Sequence, residues 1–270
     1  SALDAVKQEL IVITEKTEAM AYIDTPDGWG FNQAIESRGA EGDFATLKAG
    51  QKLLFPHVLV ANPEYNPDVE DPGERYLTLP VSAYAAGLRA KVDLTEGWHV
   101  SSSNHAYTGI EGTDVPITFA LSDKTCEANL LPAQGITTVV NMIGNGIVEW
   151  GNYTAAFPST TTPDAFECVR RSLMIMKRSI TMACAQFIDV KQVKQADIDL
   201  VRNIVNQYYN RLTAEGKIVY GQCFFDPAKN PATELAQGYV TFSNEWTPAV
   251  PMQRMTFDHK IDINKLSTIE

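Results

Sequence analysis

No stretch of this 270-residue chain approaches the roughly 18 consecutive apolar residues needed to cross a bilayer, and its first ten residues have neither the basic start nor the apolar run of a secretory signal. These absences predict a soluble protein made in a cytoplasm, with no membrane insertion. Runs of lysine or arginine are also missing. With 22 basic and 33 acidic residues the formal net charge is -11, so a phosphate backbone would be repelled, which argues against nucleic acid as a partner. Cysteine is scarce: Cys126, Cys168, Cys184 and Cys223 lie far apart with no C-x-x-C pair. That spacing argues against a zinc site or a dense disulfide framework and predicts free, mostly buried thiols. Of the four histidines, His99 and His105 share a Ser/Asn-rich loop without a third ligand nearby, and His57 and His259 are scattered. No metal site is expected.

Catalytic and nucleotide-binding motifs are missing too. Neither G-x-G-x-x-G nor G-x-x-x-x-G-K-[ST] occurs, and Gly144-Asn145-Gly146 lies between two strand-like runs, where a turn accounts for both glycines. G-x-S-x-G is absent as well. One alternative stays open: Asp24 ends one expected strand and His57 occupies another beside it, a placement compatible with a hydrolase triad whose serine is unidentified. Asp24-Thr25-Pro26 is more simply a strand-end turn. The carboxylates Asp197 and Asp199, and Asp68, Glu70 and Asp71, fall in helix starts or loops and read as solvated. The chain reads as a non-enzyme without cofactor.

What is present is ordinary for a globular protein, 44% hydrophobic and 20% charged, and the length suits two domains of ordinary size. Leu3, Val6, Leu10 and Ile13 follow helical spacing, and residues 19–24 form a short apolar run closed by Thr25-Pro26-Asp27-Gly28. The start lacks an initiating Met and already reads as helix, which predicts an upstream segment. Residues 31–37 suit a second helix, and 53–60 read as a buried strand broken by Pro56. Strands alternating with helices indicate a parallel α/β sheet. Residues 62–74 carry three prolines among acidic side chains and read as an exposed loop. A helix of small residues is expected over 82–90, then a long polar loop over 98–112, of a length typical of functional or assembly contacts. A short helix over 123–131 leads to the β-prone run 136–143, and Asn145-Gly146 before 147–150 is a strong hairpin signal.

The clearest helix has Thr162 as N-cap, Pro163 at its first position and Asp164 in its first turn, and runs to about Phe187. Phe166, Val169, Leu173, Met176, Ile180, Ala183 and Phe187 line one face. Beside that face, at about 100° per residue, Arg170, Arg171, Lys177 and Arg178 fall within an arc of roughly 120°. A second helix over 197–215 ends at Gly216. Short strands follow at 218–220, 238–242 and 253–257, and the tail 260–270 alternates Ile261 and Ile263 with polar neighbours as an exposed strand would. The expected fold is α/β plus α+β. Residues 1–138 make a parallel α/β sheet domain, truncated at its N-terminal side. Residues 139–270 make an α+β domain of two helices on a mostly antiparallel sheet with a strand-like C-terminal arm.

Two segments carry a resemblance. Ala86-Gly87, Asp93, Gly97-Trp98 and Asn104 fit a string found in tail sheath proteins of contractile phages, prophages, tailocins and related injection machines. Gln134-Gly135-Ile136, then Asn145-Gly146-Ile147-Val148-Glu149-Trp150-Gly151-Asn152-Tyr153-Thr154, resembles that family's G-I-N segment and its G-x-x-V-W-G-x-R-T hairpin. The chain departs from the family at Ile147, Glu149 and Tyr153, where basic residues are common.

The resemblance implies a structural subunit of a contractile tail sheath that polymerises as stacked hexameric rings around a tail tube and contracts to drive the tube through an envelope. It implies partners: other copies of itself, the tube protein, the baseplate and the tail terminator. It places the protein in the virion tail, after assembly in the bacterial host cytoplasm. Arms that add strands to neighbouring subunits' sheets are also implied, and Ile261, Ile263 and Leu266 are the arm residues expected to make that contact. Arg170, Arg171, Lys177 and Arg178 are the candidates to face the tube.

Overall fold

In a computed structural model the chain is described over residues 2–69 and 73–263, with the side chains of residues 2–5 and 7 excepted. Glu70, Asp71 and Pro72 of the acidic loop and Leu266 of the arm lie outside the described residues.

The first half runs α1 (Ala2–Thr17), β1 (Ala21–Asp24), α2 (Phe31–Glu36), β2 (Gln51–Leu54), β3 (Val58–Ala61), β4 (Tyr76–Leu79), α3 (Val81–Thr95), β5 (Gly112–Thr113), α4 (Glu127–Ala133), β6 (Ile136–Met142) and β7 (Gly146–Trp150). One sheet has the order β1-β2-β6-β7, with β1, β2 and β6 parallel and β7 antiparallel. All four residues of β2 are buried, as expected of a central strand covered on both faces. Alternation sorts its side chains. Leu53 packs with Ala34, Leu131 and Ile136, which places α2 and α4 on one face. Leu54 packs with Val81, Ala85 and Val139, which places α3 on the other.

The run 53–60 is two strands and not one. Pro56, which has no N–H to give to a ladder, separates β2 from β3, and β3 joins a second, antiparallel sheet of order β4-β3-β5. Strand β4 has little sequence signal, because it follows the acidic loop directly and its residues are mostly exposed.

The second half runs through a 3-10 turn (Pro163–Ala165), α5 (Glu167–Ala185), α6 (Gln195–Ala214), β8 (Ile218–Phe225), α7 (Ala232–Ala236) and β9 (Phe242–Pro248). Thr162 and Pro163 begin the 3-10 turn, and α5 itself starts at Glu167 after Phe166. Met176, Val205, Tyr209, Leu212, Ile218 and Cys223 form the core of this half, and Trp98 reaches over from the loop after α3 to pack on it. β8 and β9 pair antiparallel, but residues 253–257 form no strand. The fold is thus mixed α/β, with one largely parallel sheet and two antiparallel ones. The division at 138/139 falls within β6, and the first sheet continues to Trp150.

Candidate assembly surface and the buried charge cluster

Tyr22, Lys52 and Glu149 lie on three strands, and the register of the sheet turns all three to the α3 face. Lys52 has no exposed side-chain area, and its Nζ lies 2.6 Å from Glu149 Oε1 and 2.6 Å from Glu167 Oε2. The remaining carboxylate positions are filled from the same shell. Tyr22 OH donates to Glu167 Oε1 at 2.5 Å, Tyr107 OH to Glu149 Oε2 at 3.0 Å, and Ser102 Oγ to Glu149 Oε1 at 2.6 Å. Burial pushes the Glu167 carboxyl up, but Lys52 outweighs it and holds the group well below the usual carboxylate range. Burial likewise favours neutral Lys52, and the two carboxylates overcome it, so its ammonium is held charged. The phenols of Tyr22 and Tyr107 are pushed up, first by burial and then by the carboxylate each faces.

This cluster joins β1, β2, β7, the loop after α3 and the first turn of α5. Glu167 also sits where the helix dipole favours a negative charge. The chain just before it is zipped in place: Glu167 N donates to Asn152 O, Thr154 N donates to Ala165 O, and Tyr153 stacks between Phe157 and Phe166. Two glycines permit the close approach. A Cβ on Gly151 would lie 3.1 Å from Thr137 Cα, and one on Gly135 would lie 2.3 Å from Phe157 O; both have positive φ. Glu149, one of the departures from the sheath pattern, is therefore an internal group and not a surface charge. The sequence signal for the cluster was a lysine in Gln51-Lys52-Leu53-Leu54 and a glutamate in Ile147-Val148-Glu149-Trp150, charges inside apolar strands.

The basic residues of α5 are divided by their surroundings. Arg171 pairs with Asp93 of α3, which also takes Arg89 Nη2 at 2.8 Å, so Asp93 ties α3 to α5. Lys177 lies 3.8 Å from Glu18, after α1. Arg170 is half-buried, and Arg178 is exposed with no ion-pair partner among the described residues. The expected face is only partly right: Glu167, Cys168, Val169, Ser172, Met174 and Met176 are buried, while Ala183 is exposed. The first half of α5 is enclosed on several sides, which a single apolar stripe does not anticipate.

Beyond α6 the surface is open. Among the described residues β8 pairs only with β9, so each has one outward edge. Asn206 of α6 covers part of the β8 edge, giving Nδ2 to Cys223 O at 2.9 Å and accepting from Cys223 N at 2.7 Å. Among the described residues no such cover lies along β9 itself, although Asn230 makes the same two bonds to Thr241 just before it. After β9 the chain leaves the body, and Met252, Phe257, Ile261 and Ile263 are 85%, 73%, 89% and 69% exposed. An apolar groove of about 580 Å³ lies along α3, lined by Leu79, Ala83, Tyr84, Leu88 and Tyr107 among others. Three of the four thiols are buried and all are free; burial pushes Cys168 and Cys223 up to about 11.

The hydrolase alternative finds no support. Asp24 Oδ1 accepts from Ser82 N at 2.9 Å, at the start of α3, and His57 lies beyond β2 in the link to β3. The groups near His57 are Asp27 and Asp114. His105 Nε2 meets Glu96 at 2.8 Å, and His99 packs edge-on against Trp98.

The family described as phage tail sheath protein central domain matches residues 1–155. The tail sheath protein of Burkholderia phage BcepMu is 35% identical over 269 residues, covering 99% of this chain and 54% of that protein. The tail sheath protein of Escherichia phage P2 is 26% identical, covering 96% and 61%. This chain therefore spans little more than half the length of these relatives. The fold recurs in the contracted helical sheath of the anti-feeding prophage, with TM-score 0.70 at 19% identity over 90% of this chain and 61% of that one. It recurs also in the contracted sheath complex of the extracellular injection system PVC, with TM-score 0.70 at 19% identity over 91% and 65%.

Proposed function

Since the chain belongs to the phage tail sheath protein family, we propose that it is the part of a sheath subunit that builds the lattice, stacking as rings around a tail tube. The observation that carries this reading is the β8–β9 pair, two strands with an uncovered β9 edge, followed by a segment whose apolar side chains face solvent. An open edge either pairs or aggregates. Strand addition by the arm of another copy would cover it, with Ile261, Ile263 and Leu266 entering the neighbour's sheet. The β9 edge is the favoured acceptor, because Asn206 already occupies the outward groups of Cys223.

In this reading the rings are hexameric, and contraction is a rigid-body rearrangement of bodies that stay linked by their arms. The Lys52 cluster suits that task, since it fastens α5 to the sheet from within. The basic side of α5 meets acidic groups on the tube through Lys177 and Arg178, with Arg170 and Arg171 nearer the body. Many weak, screened contacts repeated by each subunit would hold register and release together. The baseplate and terminator are partners at the two ends, assembly takes place in the host cytoplasm, and the product lies in the virion tail.

The test is assembly of the full-length protein without residues 260–270. The expected result is a folded protein that forms no sheaths by electron microscopy. Normal sheaths from the truncated protein would overturn the proposed role of the arm.

A further inference from the structure

Three potential metal ligands, Asp27, His57 and Asp114, lie with one donor atom each within 4.8 Å of one another. They come from separate places. Asp27 stands on the turn after β1, His57 in the link between β2 and β3, and Asp114 just after β5. Two are placed side by side by the second sheet: Val58 pairs with Thr113, and Asp114 N donates to His57 O at 3.1 Å. Asp114 Oδ1 is steadied by Val115 N at 2.9 Å. The third, Asp27, is exposed on the turn, while the other two are half-buried.

None of the three side chains bonds to another. The ordinary fate of a histidine beside two carboxylates is a direct hydrogen bond or ion pair, and here the three donor atoms stand within 4.8 Å of one another without one. Tetrahedral bonds of about 2.0–2.2 Å put ligand atoms about 3.4 Å apart, so a modest inward movement of Asp27 closes the set. The charge also fits, since two carboxylates and a neutral imidazole carry two negative charges.

The geometry points to a binding site for one divalent transition-metal ion of the Zn²⁺ class, held by Asp27, His57 and Asp114 with water in the remaining position. One imidazole nitrogen with two carboxylate oxygens suits Zn²⁺, Co²⁺ or Ni²⁺. Ca²⁺ takes six to eight oxygens, and Mg²⁺ keeps several waters around one or two carboxylates. Bound there, the ion fastens the end of β1 in the first sheet to the β3–β5 edge of the second. This stands apart from strand exchange at β9 and holds whether or not that reading does.

The experiment uses the chain freed of metal with EDTA, then titrated with Zn²⁺ by calorimetry and followed by thermal melting. One ion should bind per chain and raise Tm by about 5 °C at a hundredfold excess over Kd. Mg²⁺ at the same concentration should do neither. His57→Ala and Asp27→Asn should each weaken binding by tenfold or more and remove the rise in Tm. Asp27 is exposed on a turn, so its variant keeps the fold even if the histidine variant does not. Absence of binding, or zinc binding unchanged in Asp27→Asn, would overturn the site; the latter would assign the ion to the free thiols or to His99 and His105.

Discussion

Around Lys52 each charged oxygen and the ammonium find partners inside the chain, whereas the backbone edge of β9 finds none among the described residues and the apolar side chains after it are exposed. The first region is closed: three strands, a loop and a helix are held by groups that cannot leave without stranding a charge. The second is unfinished, with strand edges and apolar side chains that stay wet in the single chain. Polar groups buried at a junction make it rigid, and apolar groups left outside make it adhesive. The lattice role proposed above would need both, in different places.

The largest expected effect breaks the closed region. Lys52→Met removes the cation between Glu149 and Glu167, leaving two carboxylates buried and opposed. Stability should fall by about 3–5 kcal/mol, read as a lower midpoint in urea.

Acid should act on the same place. The Glu167 pKa is lowered from an ordinary 4.5, so its contribution is fully present above about pH 4.5 and is lost as pH falls through the lowered value. Lys52, held charged, contributes below its ordinary 10.5 and loses that contribution as pH rises through its raised value. Glu167→Gln should cost stability at pH 7 and flatten the decline below pH 4.5. An unchanged acid slope in that variant would detach the cluster from acid sensitivity.

Smaller effects separate the two arginines. Arg171→Glu places a carboxylate against Asp93 and should cost on the order of 1 kcal/mol. Arg178→Glu should stay within about 0.5 kcal/mol of the parent and act instead on assembly with purified tubes, more at low salt than at high. The smallest effect belongs to the open region: removing residues 260–270 should leave the melting curve of the single chain unchanged. A large loss there would mean that the tail packs on its own subunit and not on another.

Local patterning carried much of the fold. The strands β1 and β6, the hairpin at Asn145-Gly146 and the helices α3, α5 and α6 were legible because apolar spacing and turn residues record which face of an element is buried. Boundaries slipped where a neighbour decided them. The helix over 82–90 extends to Thr95, where Asp93 and Arg89 bond to one another, and the expected strand over 253–257 has no partner among the described residues to make it one.

The residues that carry the family resemblance were visible as a string, but their purpose was not. Asp93 bridges two arginines, Trp98 packs across to the second core, and Gly135 and Gly151 clear space for crossing backbone. A sequence pattern states the period of an element, not what lies opposite it. Lys52 meets Glu149 and Glu167 across 97 and 115 residues, and His57 meets Asp27 and Asp114 only because β5 pairs beside β3. Spacing and turn residues alone were enough for the strongly patterned elements and for the family. Which charges become internal fasteners and which edges stay open depends on strand register and on helices docking across long separations, and no local pattern records either.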